Sequence, residues 1–273
     1  YTNGLDKPSD YFNTKLYTGN GSAQSITGVG FQPEMSWFKQ RNTTRGHVLE
    51  DIVRGAGNTL FPNDTSSETA GGYYLTSFDS DGFTLPSSNV GTNENSGTYA
   101  SWNWKAGGSA SSNSNGSITS SVSANTTAGF SISQYTGTGS AGATVGHGLG
   151  VAPKMIIAKG LTYADVWIVG GDNLGGWNKE MYLNFTSAVA TNNNAFNGVT
   201  PTSSVFTLGS GNGTNKSGDD YIAYCFAEKK GYSKFGSYTG NGNADGTFIY
   251  TGQKSAFIMI KRTDSTDGWA MFD

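Results

Sequence analysis

The chain has 273 residues, a net charge of −3 and only 14% charged residues, so Ser, Thr and Asn must wet much of its surface. No long Lys/Arg run exists to neutralise phosphates, and no apolar stretch approaches the roughly 18 residues of a membrane helix, which argues against nucleic-acid binding and membrane insertion. The single cysteine, Cys225, excludes an internal disulfide and a thiolate zinc site, while 13% aromatic residues supply the mass of a core.

The opening YTNGLDKPSD lacks the basic and apolar regions of a secretory leader. From Tyr17, YTGNG leads through a glycine-rich turn into MSWFK, ending at Lys39, and then into HVLED, ending at Asp51. SDGFTL follows at Ser80–Leu85, and YASWNWKAG begins at Tyr99. Within it, Trp102 and Trp104 fall on one face of a strand, Ser101 and Asn103 on the other. Residues 106–128 have the Gly/Ser/Asn composition of a flexible linker. FSISQY then alternates Phe130 and Ile132, and YTGTG begins at Tyr135. MIIAK ends at Lys159, VWIVGGD at Asp172, SVFTL at Leu208, and YIAYCFAEKKG begins at Tyr221. A short joint, EKKGYSKFG, precedes a third YTGNG at Tyr238, with FIMIK ending at Lys261 and GWAMFD at Asp273.

These landmarks repeat. The Tyr-to-Lys spacings are 22, 24 and 23 residues and the Lys-to-Asp spacings 12, 13 and 12. Short runs rich in Tyr, Phe, Trp, Val, Ile and Thr, punctuated by Gly, Asn, Asp and Ser, read as strands, and nowhere is a helical period sustained over three turns. The expected fold is all-β: tandem antiparallel β-sandwich repeats of jelly-roll or lectin-like type, the third incomplete. The expected divisions are residues 1–105, a first repeat with an N-terminal lead-in; 106–128, the linker; 129–233, a second repeat; and 234–273, the start of a third. Units two and three are expected to pack closely, whereas units one and two need not.

LDKPSDYFNTKLYTGNG, SITGVGFQPEMSWFK, SFDSDGFTL and YASWNWKAG together resemble a repeated domain common in virion and tail-fibre proteins of marine bacteriophages. The likeness covers the first unit closely and the second more loosely, where YTGTGSAGATVGHGLGVAPKMIIAK keeps the frame and changes the filling. The resemblance implies a virion surface role and brings no catalytic or binding residues with it.

Each candidate chemical motif has a plainer structural reading. Asp79 and Asp81 in DSDG are weak calcium candidates, because the third acid and the distal Glu are missing; Asp-Gly before a strand reads as a hairpin turn. His47 and His147 lie at non-equivalent positions without partners at ligand spacing and read as surface or turn residues. The adjacent pairs Glu50–Asp51 and Asp219–Asp220 point to opposite strand faces, so neither pair serves as the two carboxyls of glycoside hydrolysis. GNGSAQ precedes no helix and reads as a turn rather than a phosphate loop. Cys225 alternates with Tyr221 and Ala223 and reads as a small buried hydrophobe. Trp177, flanked by Gly and polar residues, is the best candidate for an exposed sugar-stacking ring. Asn178 would supply a donor and acceptors beside it, and Tyr163 would be a neighbour from the preceding loop. The repeated Lys and Asp positions have no account beyond the preference of strand ends for charge.

The resulting expectation is a non-enzymatic phage structural protein without cofactor or metal, assembled in the reducing host cytoplasm as a virion-surface tail fibre that binds host-surface polysaccharide. Its expected partners are other virion proteins and itself, as a homo-oligomer, foremost a trimer. The alternatives are a capsid decoration or head fibre, and a concanavalin-like polysaccharide hydrolase.

Overall fold

A computed structural model describes Leu5, residues 7–87 and residues 89–273; the start of the lead-in, residues 1–4 and 6, lies outside the described residues. The first unit contains β1 (Phe12–Thr18), β2 (Gln24–Thr27), β3 (Met35–Gln40), β4 (His47–Asp51), β5 (Asn58–Thr59), β6 (Thr69–Ala70), β7 (Ser77–Asp79), β8 (Gly82–Leu85) and β9 (Thr98–Trp104). One antiparallel sheet has the order β1-β9-β3-β4 and the sheet opposite it β2-β8-β7. Between them lie Ile26, Phe31, Phe38, Val48, Phe83 and Leu85, all buried.

The second unit contains β10 (Ser111–Asn113), β11 (Ser120–Asn125), β12 (Phe130–Thr136), β13 (Thr144–Gly146), β14 (Met155–Gly160), β15 (Ile168–Gly171), β16 (Lys179–Tyr182), β17 (Ala190–Thr191), β18 (Val205–Thr207), the four-residue helix α1 (Asn212–Asn215) and β19 (Asp220–Phe226). Its long sheet runs β10-β11-β12-β19-β14-β15-β16-β17, with β13-β18 as the smaller sheet. The segment β12-β19-β14-β15 has the same strand order as β1-β9-β3-β4. The registers agree as well: Tyr17 lies opposite Tyr99, Tyr135 opposite Tyr221, and each pair stacks, at 5.1 and 5.4 Å between ring centroids. The fold is an all-β sandwich, and α1 is the only α-helix among the described residues, far too short to cross a membrane.

Residues 106–128 are not a linker. β11 pairs with β12 from Ser121–Gln134 to Asn125–Phe130, and β10 pairs with β11, extending the sheet by two strands. The composition misleads because the tract hides its apolar anchors among serines. Ile118 and Val122 are buried, as are Ser120 and Ser123, whose hydroxyls donate to the carbonyls of Gly146 and Gly108.

Strand alternation explains why both main sheets are hydrophobic on both faces. In β9, Ala100, Trp102 and Trp104 turn away from the first unit's own sandwich; in β19, Ile222 and Tyr224 do the same. With Met35, Trp37 and Leu49 from the first unit and Phe130, Ile132, Ile157, Trp167 and Val169 from the second, they form one common cluster. Tyr221, Ala223 and Cys225, on the opposite face of β19, fill the second unit's own core. Cys225 is fully buried, and loss of hydration pushes its thiol up to about 12.

In residues 234–273 only a hairpin forms: β20 (Ile258–Lys261) with β21 (Trp269–Phe272). Phe257, Met259, Trp269 and Met271 pack against the same common cluster. Phe257 lies 5.5 Å from Phe12, and the Trp102 indole donates to Asp273 Oδ2 at 3.2 Å. Units one and two, two and three, and one and three therefore all touch, three around one core. The YTGNG at Tyr238 forms no strand. Tyr17 and Tyr135 each lean on the last strand of their own unit, and residues 234–273 contain no counterpart of β9 or β19. Phe248 and Tyr250 are correspondingly exposed, at 86% and 79%.

Candidate inter-unit interface

The repeated lysines share one role. Each stands last or next to last in the hairpin strand β3, β14 or β20 and holds a carbonyl of the following turn. Lys39 Nζ donates to Gln40 O at 2.9 Å and Arg45 O at 2.6 Å; Lys159 Nζ to Asp165 O at 3.0 Å and Thr65 O at 3.2 Å; Lys261 Nζ to Arg262 O at 2.9 Å and Thr186 O at 3.1 Å. Thr65 belongs to unit one and Thr186, 121 residues later, to unit two. The last two lysines thus reach into the preceding unit at equivalent points. Lys159 is fully buried, and desolvation lowers its ammonium to about 8, partly offset by Asp165 and Asp64.

Three more hydrogen bonds repeat at the same two junctions. Asp165 N donates to Thr65 O at 2.9 Å, and Asp267 N to Thr186 O at 2.8 Å. Glu68 N donates to Leu161 O, and Val189 N to Thr263 O, both at 2.9 Å. The Trp167 indole donates to Phe61 O at 3.0 Å, the Trp269 indole to Tyr182 O at 3.0 Å. Each junction is therefore a four-point clamp, and each bond between neutral groups contributes roughly 0.5–1.5 kcal/mol net. Units one and two pack as intimately as two and three, contrary to the expectation from composition.

The clamped segments carry a shared pattern, Phe61-Pro-Asn-Asp-Thr-Ser against Tyr182-Leu-Asn-Phe-Thr-Ser. Its Asn fastens the segment to its own unit: Asn63 Oδ1 accepts from His47 N at 2.6 Å, and Asn184 Oδ1 from Trp167 N at 3.0 Å. The aromatic and Thr positions then present carbonyls to the neighbour. This signal was present in the sequence and is weaker than the strand landmarks because it lies in turns. A second such signal is GTN at 91–93 and 213–215, where Asn93 and Asn215 are fully buried. Asn93 Nδ2 donates to Ser22 O and Pro86 O, Asn215 Nδ2 to Ser140 O and Gly209 O, plugging the same end of each sandwich.

The first junction also buries charge. Asp51 Oδ2 accepts from Arg54 Nε at 2.6 Å and from the Tyr224 hydroxyl of unit two at 2.7 Å; its Oδ1 accepts from Val53 N and Arg54 N, both at 3.0 Å. Arg54 NH1 pairs with Glu68 at 2.9 Å. Nearby Glu50 is pushed up to about 7 by desolvation, against the hydrogen bonds it accepts from Thr59 and Gly57 N. The second unit differs here. Asp51 lies opposite Met35, but Gly171 lies opposite Met155, so Asp172 falls one residue past the strand and stays exposed, paired with Lys154 at 2.7 Å.

The residues expected to bind sugar are not brought together. Trp177 is only 2% exposed: left-handed Gly175 and Gly176 turn the chain so that its ring packs on Phe196 and its Nε1 donates to Asp172 Oδ1 at 2.5 Å. It is a buried loop anchor, not a platform. Asn178 is exposed beside it. Tyr163 stands beyond the other end of β14, roughly 20 Å of strand away, its hydroxyl 2.9 Å from that of Tyr221 and Lys216 Nζ 4.2 Å over its ring. Asp79 accepts from Ser77 and Thr84, and Asp81 from the backbone N–H groups of Gly28 and Gly30 at 3.0 and 2.6 Å, so both serve the hairpin β7–β8 and its neighbour β2. No cluster of three metal-ligating side chains exists among the described residues. His147 lies in its turn but is fully buried there, and half-buried His47, next to the exposed loop 41–46, accepts from the Trp37 indole at 2.8 Å.

No curated protein and no solved structure matches this sequence. A family model does, over residues 7–273. The chain belongs to the family described as Domain of unknown function (DUF7483).

Proposed function

We propose that the chain is a non-enzymatic structural protein of a bacteriophage virion surface, foremost a tail fibre, whose sandwich units display loops outward for host polysaccharide. The observation that supports this reading is the four-point clamp repeated between successive units: the chain spends its specific polar chemistry on joining its own modules. The sequence resemblance adds the virion setting. With Trp177 buried, glycan contact falls to exposed loop residues such as Asn178. Self-association into a trimer of chains is a separate part of the proposal, read by sedimentation of the full chain.

The test is mass spectrometry and immunogold labelling of purified phage particles from the source of this sequence. Label on tail appendages is the expected result; label on the head would move the reading to a decoration protein. Absence from particles, or release of reducing ends from host polysaccharide by the purified chain, would overturn it.

A further inference from the structure

The first unit carries the receiving half of the clamp with no neighbouring segment on it; in place of a neighbour's Thr carbonyl, Lys39 Nζ has only a long contact to Thr43 O of its own loop, at 3.5 Å. The equivalents of Lys159, Leu161, Asp165 and Trp167 are Lys39, Arg41, Arg45 and His47. Lys39 pairs directly with His47 across the β3–β4 hairpin, as Lys261 pairs with Trp269. In units two and three these groups are engaged by segments 61–68 and 182–189. In unit one, Arg45 N and Arg41 O have no hydrogen-bond partner among the described residues. Residues 41–46 are exposed, whereas Leu161, the counterpart of Arg41, is 6% exposed.

His47 matches the role of the two tryptophans. Its Nδ1 accepts the Trp37 indole hydrogen, so in the neutral ring the proton sits on Nε2. Burial, with Lys39 nearby, lowers the ring to about 4, which keeps it neutral at pH 7. Nε2–H is then an unpartnered N–H donor standing where Trp167 and Trp269 present theirs. Ammonium, backbone N–H, backbone C=O and ring N–H together reproduce the four points of the clamp.

We infer that the Lys39–His47 edge of unit one is a docking site for a further polypeptide segment of the aromatic-x-Asn-x-Thr-Ser type. The occupant's carbonyl at the aromatic position would meet His47 Nε2–H, its Thr carbonyl Lys39 Nζ and Arg45 N–H, and its N–H three residues on Arg41 O. The page supplies the reason for this occupant: the same edge is filled twice in this molecule, both times by that pattern. Among the described residues the two segments of this pattern are already clamped at units two and three. This inference stands on geometry alone and does not rest on the virion reading.

The experiment titrates the full chain with synthetic peptides spanning residues 58–70 and 179–191, with a scrambled peptide as control. Anisotropy reads binding, and hydrogen exchange reads the amides of residues 41–47. Saturable binding with at least about tenfold slowing of exchange at Arg45 is expected, and Arg45→Pro, which removes the N–H from an exposed loop, should weaken it about tenfold, one charge-independent hydrogen bond's worth. Lys39→Met should weaken it further. Unchanged exchange at Arg45 with millimolar peptide, equal binding by the scrambled control, or dimers of the full chain that bury residues 41–47 would each overturn the inference.

Discussion

Replacing Asp51 with Asn tests the junction of units one and two at its most buried point. The amide keeps one oxygen for Val53 N and Arg54 N, but sets an NH2 group against Arg54 Nε–H and the Tyr224 hydroxyl, both at 2.6–2.7 Å. Arg54 stays buried and charged with only Glu68 as counter-ion. Breaking one side of a buried ion pair costs about 3–5 kcal/mol. For a chain of this size, that corresponds to a fall in Tm of roughly 6–20 °C. Asp172→Asn is the internal control, because its ion pair with Lys154 is exposed and worth at most about 1 kcal/mol, and its remaining oxygen still serves Trp177. Urea unfolding at pH 7, followed by far-UV circular dichroism and tryptophan fluorescence, measures both. Adding Tyr224→Phe to Asp51→Asn should cost less than the same change in the parent protein, since it removes one of the clashing donors. The reasoning fails if Asp51→Asn is no worse than Asp172→Asn.

Trp177→Ala should destabilise the fold by about 3–5 kcal/mol in thermal melts while leaving any polysaccharide binding by the folded protein unchanged. Lys159→Met probes a charge that folding disfavours. Between about pH 8 and lysine's ordinary 10.5 the unfolded chain holds a proton the folded chain has lost, so the parent protein should gain up to about 3 kcal/mol over the variant across that window. Parallel pH series of denaturant midpoints measure it, and a flat difference would sink the assignment. Gly82→Ala should cost at least about 2 kcal/mol in urea melts, because Gly82 has φ +149° and a Cβ there would lie 1.9 Å from Ile26 O. Gly218→Ala, at φ +80° with open space around it, should cost only about 1 kcal/mol.

The all-β fold was legible because period and punctuation are local. YIAYC and SWNWK alternate as the strands do, and the spacing of Tyr17, Lys39 and Asp51 carried over to Tyr135 and Lys159. What the sequence concealed was of three kinds. Composition outweighed pattern at residues 106–128, where a few apolar residues among serines suffice for a strand once β12 offers an edge. Exposure was misjudged at Trp177, because flanking glycines signal a turn but not which way the turn carries the ring. The repetition of the lysines had no account because Lys159 and Lys261 each reach a partner in another unit, 94 and 75 residues away. Spacing within a repeat cannot show what one repeat does for the next, although the twinned segments at Phe61 and Tyr182 were there to be aligned.

The common cluster has a consequence for how such a chain can diversify. Trp37, Ile157 and Met259 belong to or pack against one cluster drawn from all three units. Exchange of a whole unit by recombination would therefore arrive with a mismatched inner face, even where its own sandwich is sound. The outer sheets β2-β8-β7 and β13-β18 carry no such obligation, since the residues they bury meet only their own unit. Inheritance of new loops is thus cheapest on the outward layer, and the inner face of all three units must drift together.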